Sequence, residues 1–524
     1  MLRRVLICLA FATWCFLDTW VEYAEGSVDY FARFDPVRTV VIPILWIEVV
    51  IALGMWGLWE LARAKRLDAP ILHFVFLAAC LAPAGIFSVA LLRVLPFAST
   101  AWIRHPLFWP VTLALAVVPL AFICRRPRTG SRLAGGILLC SWPVLALVLI
   151  QAVRGSLLFP SLSYADGPLA APLEGPAARV RVVWIIFDEL SQTITFEGRP
   201  PGLELPNFDR LKRVSFYASA AESPANATTI SMPSLIVGKR VLEAIPRGPG
   251  ELRVRTEASA AESTVDWQSL PNVFDASRQL GYNTAVVGWA LPYGRILNRS
   301  LTKCYWTAGY LLAGAEEPSH PPPLLAAMAD RLRLQFAALP LAGHLPGNFP
   351  GVYHRQQKIE RFSWLCDRAA EMVSDPTIGL VLIHLPVPHP PAIYSRSAGV
   401  LTANGRIGYL DSVALADRTL GSLRQNLEQS GLWDRTALLV SADHGWRTSI
   451  WRGDAEWTNA EESASHQDTS GVPFLLKLPG QVSGMQYARR FNTILTRELI
   501  LGILSGNIDS PGALTNAISG AETH

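Results

Sequence analysis

Acidic and histidine side chains stand at the ends of several apolar runs, and their types would allow them to hold a metal ion. In chain order they are Asp188 and Glu189 after VRVVWIIF, His384 and His389 in HLPVPHPP, Asp443 and His444 after TALLVS, and His466 in SASHQDTSG. One acid in such a place is usually a turn or cap residue, but several together indicate a shared site. Carboxylate oxygens with imidazole nitrogens suit zinc or manganese. The sequence therefore predicts a divalent metal, zinc first, with manganese, calcium and a second metal as open alternatives.

A threonine pair offers such a metal a reacting group. The segment ANATTISMPSLIVG places Thr228 and Thr229 just ahead of a predicted helix, and the start of a helix favours an anion. A coordinated metal would lower the pKa of a hydroxyl there and make it a nucleophile. The alternative is that both threonines are ordinary N-cap residues, a position that threonine often occupies.

The elements that would position these residues alternate between strands and helices. Apolar runs bounded by turn residues predict strands at 180–187, 284–287, 378–384, 436–441 and 472–477. Amphipathic helices are predicted at 270–280, 322–339, 353–373 and 409–430, and the polar segment 243–267 is predicted to be a surface insertion. This alternation is typical of an α/β domain with a mostly parallel central sheet. Because the carboxyl ends of parallel strands meet at one edge, we expect the acids and histidines to share one pocket.

The first 155 residues are far more apolar than the rest and contain runs of membrane-spanning length. The runs cover 5–20, 40–61, 70–92, 107–124 and 134–153. Arg3 and Arg4 resemble the start of a signal peptide, but no small-residue cleavage site follows, so we interpret the first run as a retained anchor. The sequence thus predicts a five-span membrane domain at 1–154, a linker or interfacial segment at 155–178 and a catalytic domain at 179–524.

Basic residues predict the orientation of these spans. The N-terminal side carries nine: Arg3, Arg4, Arg63, Lys65, Arg66, Arg125, Arg126, Arg128 and Arg132; the opposite side carries four: Arg33, Arg38, Arg93 and Arg104. The N-terminus is therefore expected in the cytoplasm and the chain beyond the last span on the outer face. The net charge of +4 comes largely from these arginines, and no nucleic-acid-binding module is visible.

Seven segments of the exported part occur in an order that is typical of a known superfamily. They are VWIIFDE, LPNFDRL, ATTISMPSLIVGK, LPNVFDASRQLGYNTAVVGW, HLPVPHPP, YLDSVALADRTLGSLRQNLEQSGLWDRTALLVSADHGW and VPFLLKLPGQ. From about residue 180 to residue 504, the chain resembles the sulfatase-like branch of the alkaline phosphatase superfamily. With five spans ahead of this domain, it is most similar to lipoteichoic acid synthases and lipid A phosphoethanolamine transferases. The resemblance implies transfer of a phospho-alcohol from a phospholipid through a covalent phosphothreonine.

The resemblance also implies roles for the strand-end residues. Asp188, Asp443 and His444 match metal ligands of the family, and Glu189 is expected to share that role. His389, which is followed by proline, is similar to the histidine that binds the transferred phosphate or a second metal.

The nucleophile and the last histidine of the site are also implied by the resemblance. Thr228 stands five residues before Pro233, where the phosphoethanolamine transferases have their nucleophile, and Thr229 is the alternative. His466 is similar to the last histidine of the site, which would bind substrate. The transferases place that histidine directly before Val-Pro, whereas this chain has glycine there, so Asp468 is an open substitute.

Two departures from the relatives bear on the reaction. Arylsulfatases carry Cys or Ser in a Cys/Ser-x-Pro-x-Arg motif, but the segment Ser231-Met-Pro-Ser-Leu235 lacks the arginine. The phosphoethanolamine transferases usually have several exported disulfides, whereas Cys304 and Cys366 allow one at most.

The predicted function is a metal-dependent, membrane-anchored transferase. It would move phosphoethanolamine or phosphoglycerol from a phospholipid donor to an envelope glycan or lipid acceptor. The alternatives are a sulfate- or phosphate-ester hydrolase of the same fold and a catalytically inactive envelope scaffold protein. The expected location is the bacterial cytoplasmic (inner) membrane, with a multi-pass anchor and a periplasmic or extracellular catalytic domain.

Overall fold

The structure is a computed structural model. It describes residues 1–24, 28–32, 34–64, 125–143, 145–146, 149–150, 164–174, 180–257, 263–308, 322–337, 349–452 and 457–521. The chain divides into two compact units. The first comprises Met1–Val28, Phe34–Leu162 and Ser319–Gly351, and the second comprises Asp29–Arg33, Ser163–Pro318 and Val352–His524.

The first unit is built from helices. They are Leu2–Cys15, Leu17–Ala24, Ile42–Ala64, Pro127–Cys140 and Leu324–Ala337, with a turn of π-helix at Val37–Val41. Within the described ranges, Val37–Leu61 is the one helix that is long and apolar enough to cross a membrane by length and composition, with 25 residues and a mean hydropathy of 2.1.

Two of the five predicted spans lie wholly within the described residues. The first, at 5–20, is divided at Phe16 between two helices, and the second, at 40–61, coincides with the long apolar helix. The predicted spans at 70–92 and 107–124 lie outside the described residues, and the one at 134–153 does so in part. The five-span arrangement therefore stays a prediction. The helix predicted at 322–339 is present as Leu324–Ala337, and it falls in the first unit.

Glu48 is an acid in the middle of the long apolar helix. Its carboxylate accepts hydrogen bonds from Trp20 Nε1 at 2.7 Å and from Thr13 Oγ1 at 3.2 Å, and the side chain is buried. A buried acid among apolar residues is costly unless its oxygens are hydrogen-bonded. Glu48 therefore joins three helices of the first unit.

The second unit contains one eight-stranded sheet and three small sheets among its described residues. The strands are β1 Arg181–Phe187, β2 Phe216–Ala218, β3 Ala221–Glu222, β4 Val241–Gly248, β5 Glu251–Thr256, β6 Val265–Asp266, β7 Asn283–Ala290, β8 Lys303–Ala308, β9 Ile378–Leu385, β10 Tyr394–Ser395, β11 Val400–Leu401, β12 Thr436–Ser441, β13 Phe474–Lys477, β14 Met485–Tyr487 and β15 Phe491–Asn492. The order across the large sheet is β14-β2-β13-β12-β1-β9-β7-β8. From β12 to β8 all neighbours are parallel, while β13 is antiparallel to β12 and β2. The predicted mostly parallel sheet is confirmed.

Helices surround this sheet in the second unit. They are Gln192–Thr195, Pro206–Lys212, Thr228–Val237, Val273–Gln279, Tyr293–Ile296, Phe349–Ser374, Tyr409–Gln429, Thr448–Trp451, Asn459–Ser465, Thr496–Leu504 and Pro511–Ala521. The central strand β1, RVVWIIF, is buried at all seven positions. β-branched and aromatic residues suit a strand that is covered on both faces, which is why a continuous apolar run marks it in the sequence.

Most predicted elements of this unit are present. β1, β9 and β12 begin and end within one residue of the predicted bounds, β7 is longer than predicted, and β13 is shorter. The segment predicted as a surface insertion contains most of β4 and all of β5 and β6, and these strands pair as an antiparallel sheet. In β5 the side chains of Leu252 and Val254 are buried and alternate with less buried charged residues. This short period-two pattern is the signal of a strand.

The register of the large sheet aligns three strand ends. Ile186 of β1 pairs with Ser441 of β12 on one side and with His384 of β9 on the other. Asp188 follows β1 and Asp443 follows β12, so both acids leave the sheet at the same edge. The carboxyl edge of three adjacent parallel strands is therefore the place where their polar residues meet.

Candidate metal centre

The carboxylates of Asp188 and Asp443 and the imidazole of His444 lie together at this edge. One ligand atom of each side chain lies within 4.8 Å of the other two. His444 Nε2 is 3.4 Å from Asp443 Oδ2 and 3.6 Å from Asp188 Oδ1, and all three side chains are buried. Zinc lies about 2 Å from its nitrogen and oxygen ligands, so one ion can contact all three groups at these separations.

Backbone carbonyls set the tautomers of two histidines. His444 Nδ1 is 3.0 Å from the carbonyl oxygen of Gly445, and His389 Nδ1 is 2.8 Å from that of Pro390. A carbonyl oxygen only accepts hydrogen bonds, so each Nδ1 carries the proton and donates it. Each Nε2 therefore offers a lone pair, the form in which histidine binds a metal.

Thr228 is the first residue of a ten-residue helix, and its hydroxyl faces the acids. Oγ1 donates to Asp443 Oδ2 at 2.7 Å and lies 3.5 Å from both Asp188 Oδ2 and His444 Nε2. The N-cap of this helix is the preceding alanine, and no side-chain cap bond is formed there. Thr228 is therefore not the N-cap residue of this helix.

The two other hydroxyls of this segment are placed differently. Ser231 is buried, and its Oγ donates to the carbonyl oxygen of Ala225 at 2.8 Å. Thr229 is half-buried, like Thr228. Of these three residues, Thr228 is the one whose hydroxyl contacts the acidic group.

Glu189 connects the end of β1 to the loop after β12. Its backbone adopts φ 72°, in the left-handed region, which a residue with a side chain adopts only when its surroundings hold it there. Its N–H donates to Asp443 Oδ1 at 3.1 Å. Its carboxylate accepts from the N–H and Nη2 of Arg447 at 2.8 and 3.1 Å and from Trp451 Nε1 at 3.1 Å. These contacts hold both acids in one arrangement.

The electrostatics of the edge favour a bound cation. Burial raises the pKa of Asp188 well above its ordinary range, and the charges of Asp443 and Glu189 raise it further. Asp188 Oδ1 is buried and has no hydrogen-bond partner among the described residues. Neighbouring buried carboxylates cannot all stay ionised without a cation. The residues therefore fit a divalent metal held by Asp188, Asp443 and His444.

A second group of ligands shares Asp188 and adds Glu189 and His389, again within 4.8 Å of one another. The N–H of His389 donates to the carbonyl oxygen of Asp188 at 3.1 Å. Lys358 is buried, and its Nζ donates to the carbonyl oxygens of His389 and Pro391. Burial lowers the pKa of Lys358 to about 7, while the two acids act in the opposite direction. Desolvation and the charge of Lys358 hold the pKa of His389 well below its ordinary value, so His389 is neutral at pH 7.

His466 lies outside both groups. Its side chain is 70% exposed, and its Nε2 is 3.6 Å from Glu462 Oε1. Asp468, the open substitute, accepts hydrogen bonds from the N–H and hydroxyl of Ser470 and is also exposed. The structure thus brings six of the seven predicted site residues together and places His466 elsewhere.

His384, one of the strand-end histidines predicted to share the pocket, lies at the site and has a partner, Tyr293, that the sequence did not predict. His384 is buried, its Nε2 is 3.8 Å from Asp188 Oδ2, and its Nδ1 is 2.9 Å from the hydroxyl of Tyr293. A Cβ atom at Gly288 would come within 2.4 Å of the Tyr293 ring. A glycine inside a strand often marks such a close approach, so Gly288 was the available signal. No feature of the sequence pointed to Lys358 or Arg447 as residues of the site.

The disulfide that the sequence left open is not formed. None of the described cysteines is in a disulfide, so Cys304 and Cys366 are not bridged. Burial raises the pKa of Cys366 to about 12.

Comparison with known proteins supports the fold family. A family model described as Type I phosphodiesterase / nucleotide pyrophosphatase matches residues 252–459, which is less than half of the chain. The matched stretch includes His389, Asp443 and His444 and excludes Asp188 and Thr228. No curated protein matches the chain.

Solved structures overlap with the chain at low identity. A protein in the alkaline phosphatase superfamily from Vibrio parahaemolyticus is 13% identical, covering 68% of this chain and 72% of its own, with a TM-score of 0.39. Phosphonate monoester hydrolase of Agrobacterium radiobacter is 16% identical, with coverages of 62% and 74% and a TM-score of 0.38. The lipoteichoic acid synthase LtaP from Listeria monocytogenes is 13% identical, with coverages of 67% and 77% and a TM-score of 0.34.

The match to the phosphodiesterase family model agrees with the resemblance of this chain to the alkaline phosphatase superfamily. The second unit has an alkaline phosphatase-like α/β fold, and the match to a phosphodiesterase family supports an enzyme of the hydrolase or phosphotransferase type. Members of this superfamily are metal-dependent, in agreement with the ligand groups around Asp188.

Proposed function

We propose that the protein is a metal-dependent, membrane-anchored transferase of a phospho-alcohol group. Phosphoethanolamine or phosphoglycerol would come from a phospholipid and pass through a phosphothreonine at Thr228 to an envelope glycan or lipid. The observation that carries this proposal is the position of Thr228 Oγ1, 2.7 Å from Asp443 and 3.5 Å from Asp188 and His444. Thr228 is half-buried, so substrate can reach its hydroxyl, and that hydroxyl lies beside the residues that would hold the metal.

The first half of the reaction transfers the group to the protein. Thr228 Oγ would attack the phosphorus of the donor phosphodiester and form a new P–O bond. Its proton would pass through Asp443, which already accepts the hydroxyl hydrogen bond, to the oxygen of the leaving alcohol. The bond between phosphorus and that oxygen breaks, so diacylglycerol leaves. When bound, a metal supplies charge that polarises the phosphoryl group and lowers the pKa of the hydroxyl.

The second half transfers the group to the acceptor. The acceptor hydroxyl would attack the same phosphorus while the bond from phosphorus to Thr228 Oγ breaks. His389 is half-buried and neutral, and its Nε2 lone pair suits it to take the acceptor's proton. That proton then returns to Thr228 Oγ, which restores the enzyme.

A phosphodiesterase, in which water takes the acceptor's place, is the second candidate function. The match to a family of phosphodiesterases is the observation that favours it. Sulfate-ester hydrolysis has less support, because Ser231 is buried with its hydroxyl bonded to a loop carbonyl and the arginine of the sulfatase motif is missing.

The membrane placement is part of the proposal. Its support is the helix Val37–Leu61, whose outward residues are large and apolar, with Trp46, Val50 and Leu53 all more than half exposed. The basic residues near the predicted spans favour a cytoplasmic N-terminus and a periplasmic or extracellular second unit. A phospholipid donor would then lie in the membrane that anchors the enzyme.

Mass spectrometry of the loaded protein tests the proposal. Full-length protein is incubated with zinc and phosphatidylethanolamine or phosphatidylglycerol, and its peptides are analysed. We expect the head-group phosphoester on Thr228 and diacylglycerol in the lipid extract, with Thr229→Ala as the control that keeps both. Release of free phosphoethanolamine or phosphoglycerol when envelope glycans and lipids are offered would favour the phosphodiesterase. Absence of any adduct on Thr228 together with intact lipid turnover would exclude this threonine.

A further inference from the structure

The helix Leu324–Ala337 belongs to a different compact unit from the elements that flank it in the sequence. It is inserted between β8 and the helix Phe349–Ser374, both of which belong wholly or mostly to the second unit, yet it falls in the first. There it packs on the helix Ile42–Ala64 and on the turn Val37–Val41. The insertion therefore joins the same compact unit as the apolar helix that is long enough to cross a membrane.

The exposed face of this helix is more apolar than the exposed face of a helix at a water surface. Ala327 and Arg331 are buried on the inner face. On the outer face Leu325, Leu332 and Phe336 are 78%, 47% and 45% exposed. A helix in water normally turns its polar residues outward.

The outer face is mostly apolar and carries one charged residue, Arg333, whose side chain is 55% exposed. Positions 325, 328, 329, 332 and 336 share it by helical spacing, and they are Leu, Met, Ala, Leu and Phe. Arg333 pairs with Asp330 at 3.4 Å. At a membrane interface an arginine can pack its aliphatic stem on apolar surface and extend its charged end to water, so Arg333 is compatible with an apolar stripe that lies at the interface.

The neighbouring helix Ile42–Ala64 indicates what covers this stripe. Its own outward residues Val50 and Leu53 are each 59% exposed, so both helices present large apolar side chains to the surroundings of the first unit. Exposing them to water would cost about 25 cal/mol per Å² of apolar surface. Acyl chains remove that cost for both helices at once.

We propose that the outer face of Leu324–Ala337 lies in the membrane, in contact with lipid acyl chains. A helix of 14 residues is about 21 Å long, shorter than the roughly 30 Å of a hydrocarbon core, so it lies at the interface and does not span. The chain is thereby attached to the membrane at a point far along the sequence from the N-terminal helices. This inference rests on the membrane placement proposed for Val37–Leu61 and is independent of the reaction.

Site-specific fluorescence in lipid nanodiscs tests the inference. The seven native cysteines are replaced by serine or alanine in the full chain, and Leu325→Cys or Leu332→Cys is labelled with bimane. The nanodiscs contain phosphatidylethanolamine and phosphatidylglycerol, with or without brominated acyl chains. Val50→Cys is the control for lipid contact, and Val482→Cys, which is 84% exposed in the second unit, is the control for water contact.

We expect brominated lipid to quench the labels at 325 and 332 as strongly as the label at 50, and to leave the label at 482 unchanged. Aqueous iodide should quench only the label at 482. Quenching at 50 but not at 325 and 332 would overturn the inference and leave the membrane placement of Val37–Leu61 standing. No lipid quenching at any position would overturn both. Labels at 325 and 332 that neither quencher reaches would show that protein, for example a second copy, covers the stripe, which also overturns the inference.

Discussion

The two ligand groups that share Asp188 differ in how the protein compensates their charge. The carboxylate of Glu189 accepts three hydrogen bonds from Arg447 and Trp451, so its charge is matched by a guanidinium. Asp443 has partners of another kind among the described residues. It accepts from the N–H groups of Glu189 and His444 and from the hydroxyl of Thr228, all of them neutral donors.

This difference indicates where a metal is needed. The carboxylate of Glu189 is paired with a cation of the protein, Arg447, whereas the buried acid Asp443 has no such cation among the residues that the structure describes. An unpaired buried charge costs several kcal/mol. We therefore expect the ion to bind most tightly between Asp188, Asp443 and His444, with Glu189 and Arg447 keeping that arrangement in place.

The largest effect should follow from removing the hydroxyl that faces the Asp443 side. Thr228→Ala should abolish turnover, with a loss comparable to the roughly million-fold effects of removing a catalytic nucleophile. Folding and metal content should change little, because the variant loses one hydrogen bond, from Thr228 to Asp443, and such a loss costs about 1 kcal/mol. Turnover and metal content are measured on the same preparation, with Thr229→Ala as the matched control. Near-normal turnover in Thr228→Ala would show that the hydroxyl is only structural.

The next largest effect compares the two sides directly. Asp443→Asn should lose stoichiometric metal, because the site keeps its shape but lacks a ligand charge. Glu189→Gln should retain the metal and instead lower the free energy of unfolding by about 3 kcal/mol, since Arg447 is left without its carboxylate. Elemental analysis and thermal unfolding of both variants distinguish the sides. The comparison fails if Glu189→Gln loses the metal while Asp443→Asn keeps it.

A smaller effect is expected on the pH dependence of the metal-free protein. The pKa of Asp188 is raised in the folded chain, so the folded state keeps a proton that the unfolded chain loses above pH about 4. The free energy of unfolding is then greatest at acidic pH. It falls by roughly 1.4 kcal/mol for each pH unit between the pKa of Asp188 in the unfolded chain and its raised pKa in the folded chain. After chelation, the unfolding temperature should decrease between pH 5.5 and pH 8.

Two controls accompany that measurement. Added zinc should remove the decrease, because the bound ion compensates the ionised carboxylate. Asp188→Asn should flatten the pH dependence of the chelated protein. A chelated wild-type protein that is as stable at pH 8 as at pH 5.5 would contradict the assignment of Asp188 to an uncompensated acidic site.

The sequence was sufficient to predict the site residues that directly follow β1 and β12. β1 and β12 are buried on both faces, so their apolar runs mark them, and the residues after them had to meet at one edge. This places Asp188, Asp443 and His444 without knowledge of the structure. The hydroxyl of Thr228 could be placed only through the family resemblance, since a threonine before a helix is more often a cap.

The supporting residues could not be predicted in the same way. Arg447, Lys358 and Tyr293 reach the site from separate loops and helices, and no local periodicity specifies which distant group a side chain will contact. His466 shows the converse, because a suitable residue type before a strand was not enough to turn its side chain inward. The helix Leu324–Ala337 was predicted by its periodicity, which identifies an apolar face but not the element it packs on.

The smallest effect concerns a third contact of Asp188, through His384. Tyr293 OH is 2.9 Å from His384 Nδ1, and the opposite ring nitrogen faces Asp188 Oδ2 at 3.8 Å. Tyr293→Phe removes the hydroxyl that orients the imidazole, and a lost hydrogen bond of this kind costs about 1 kcal/mol. Since metal-ligand carboxylates are tuned by the groups behind them, we expect weaker zinc binding, by about tenfold at most.

A matched control separates this effect from a general loss of stability. Tyr282 OH donates to the carbonyl oxygen of Leu504 at 2.9 Å, so Tyr282→Phe loses one comparable hydrogen bond that involves no site residue. Both variants should unfold at similarly lowered temperatures, but only Tyr293→Phe should bind zinc more weakly in a titration with a competing chelator. Equal zinc affinity in both would mean that His384 is a packing residue. The position of Asp188 would then depend on the Asp443 and Glu189 sides alone.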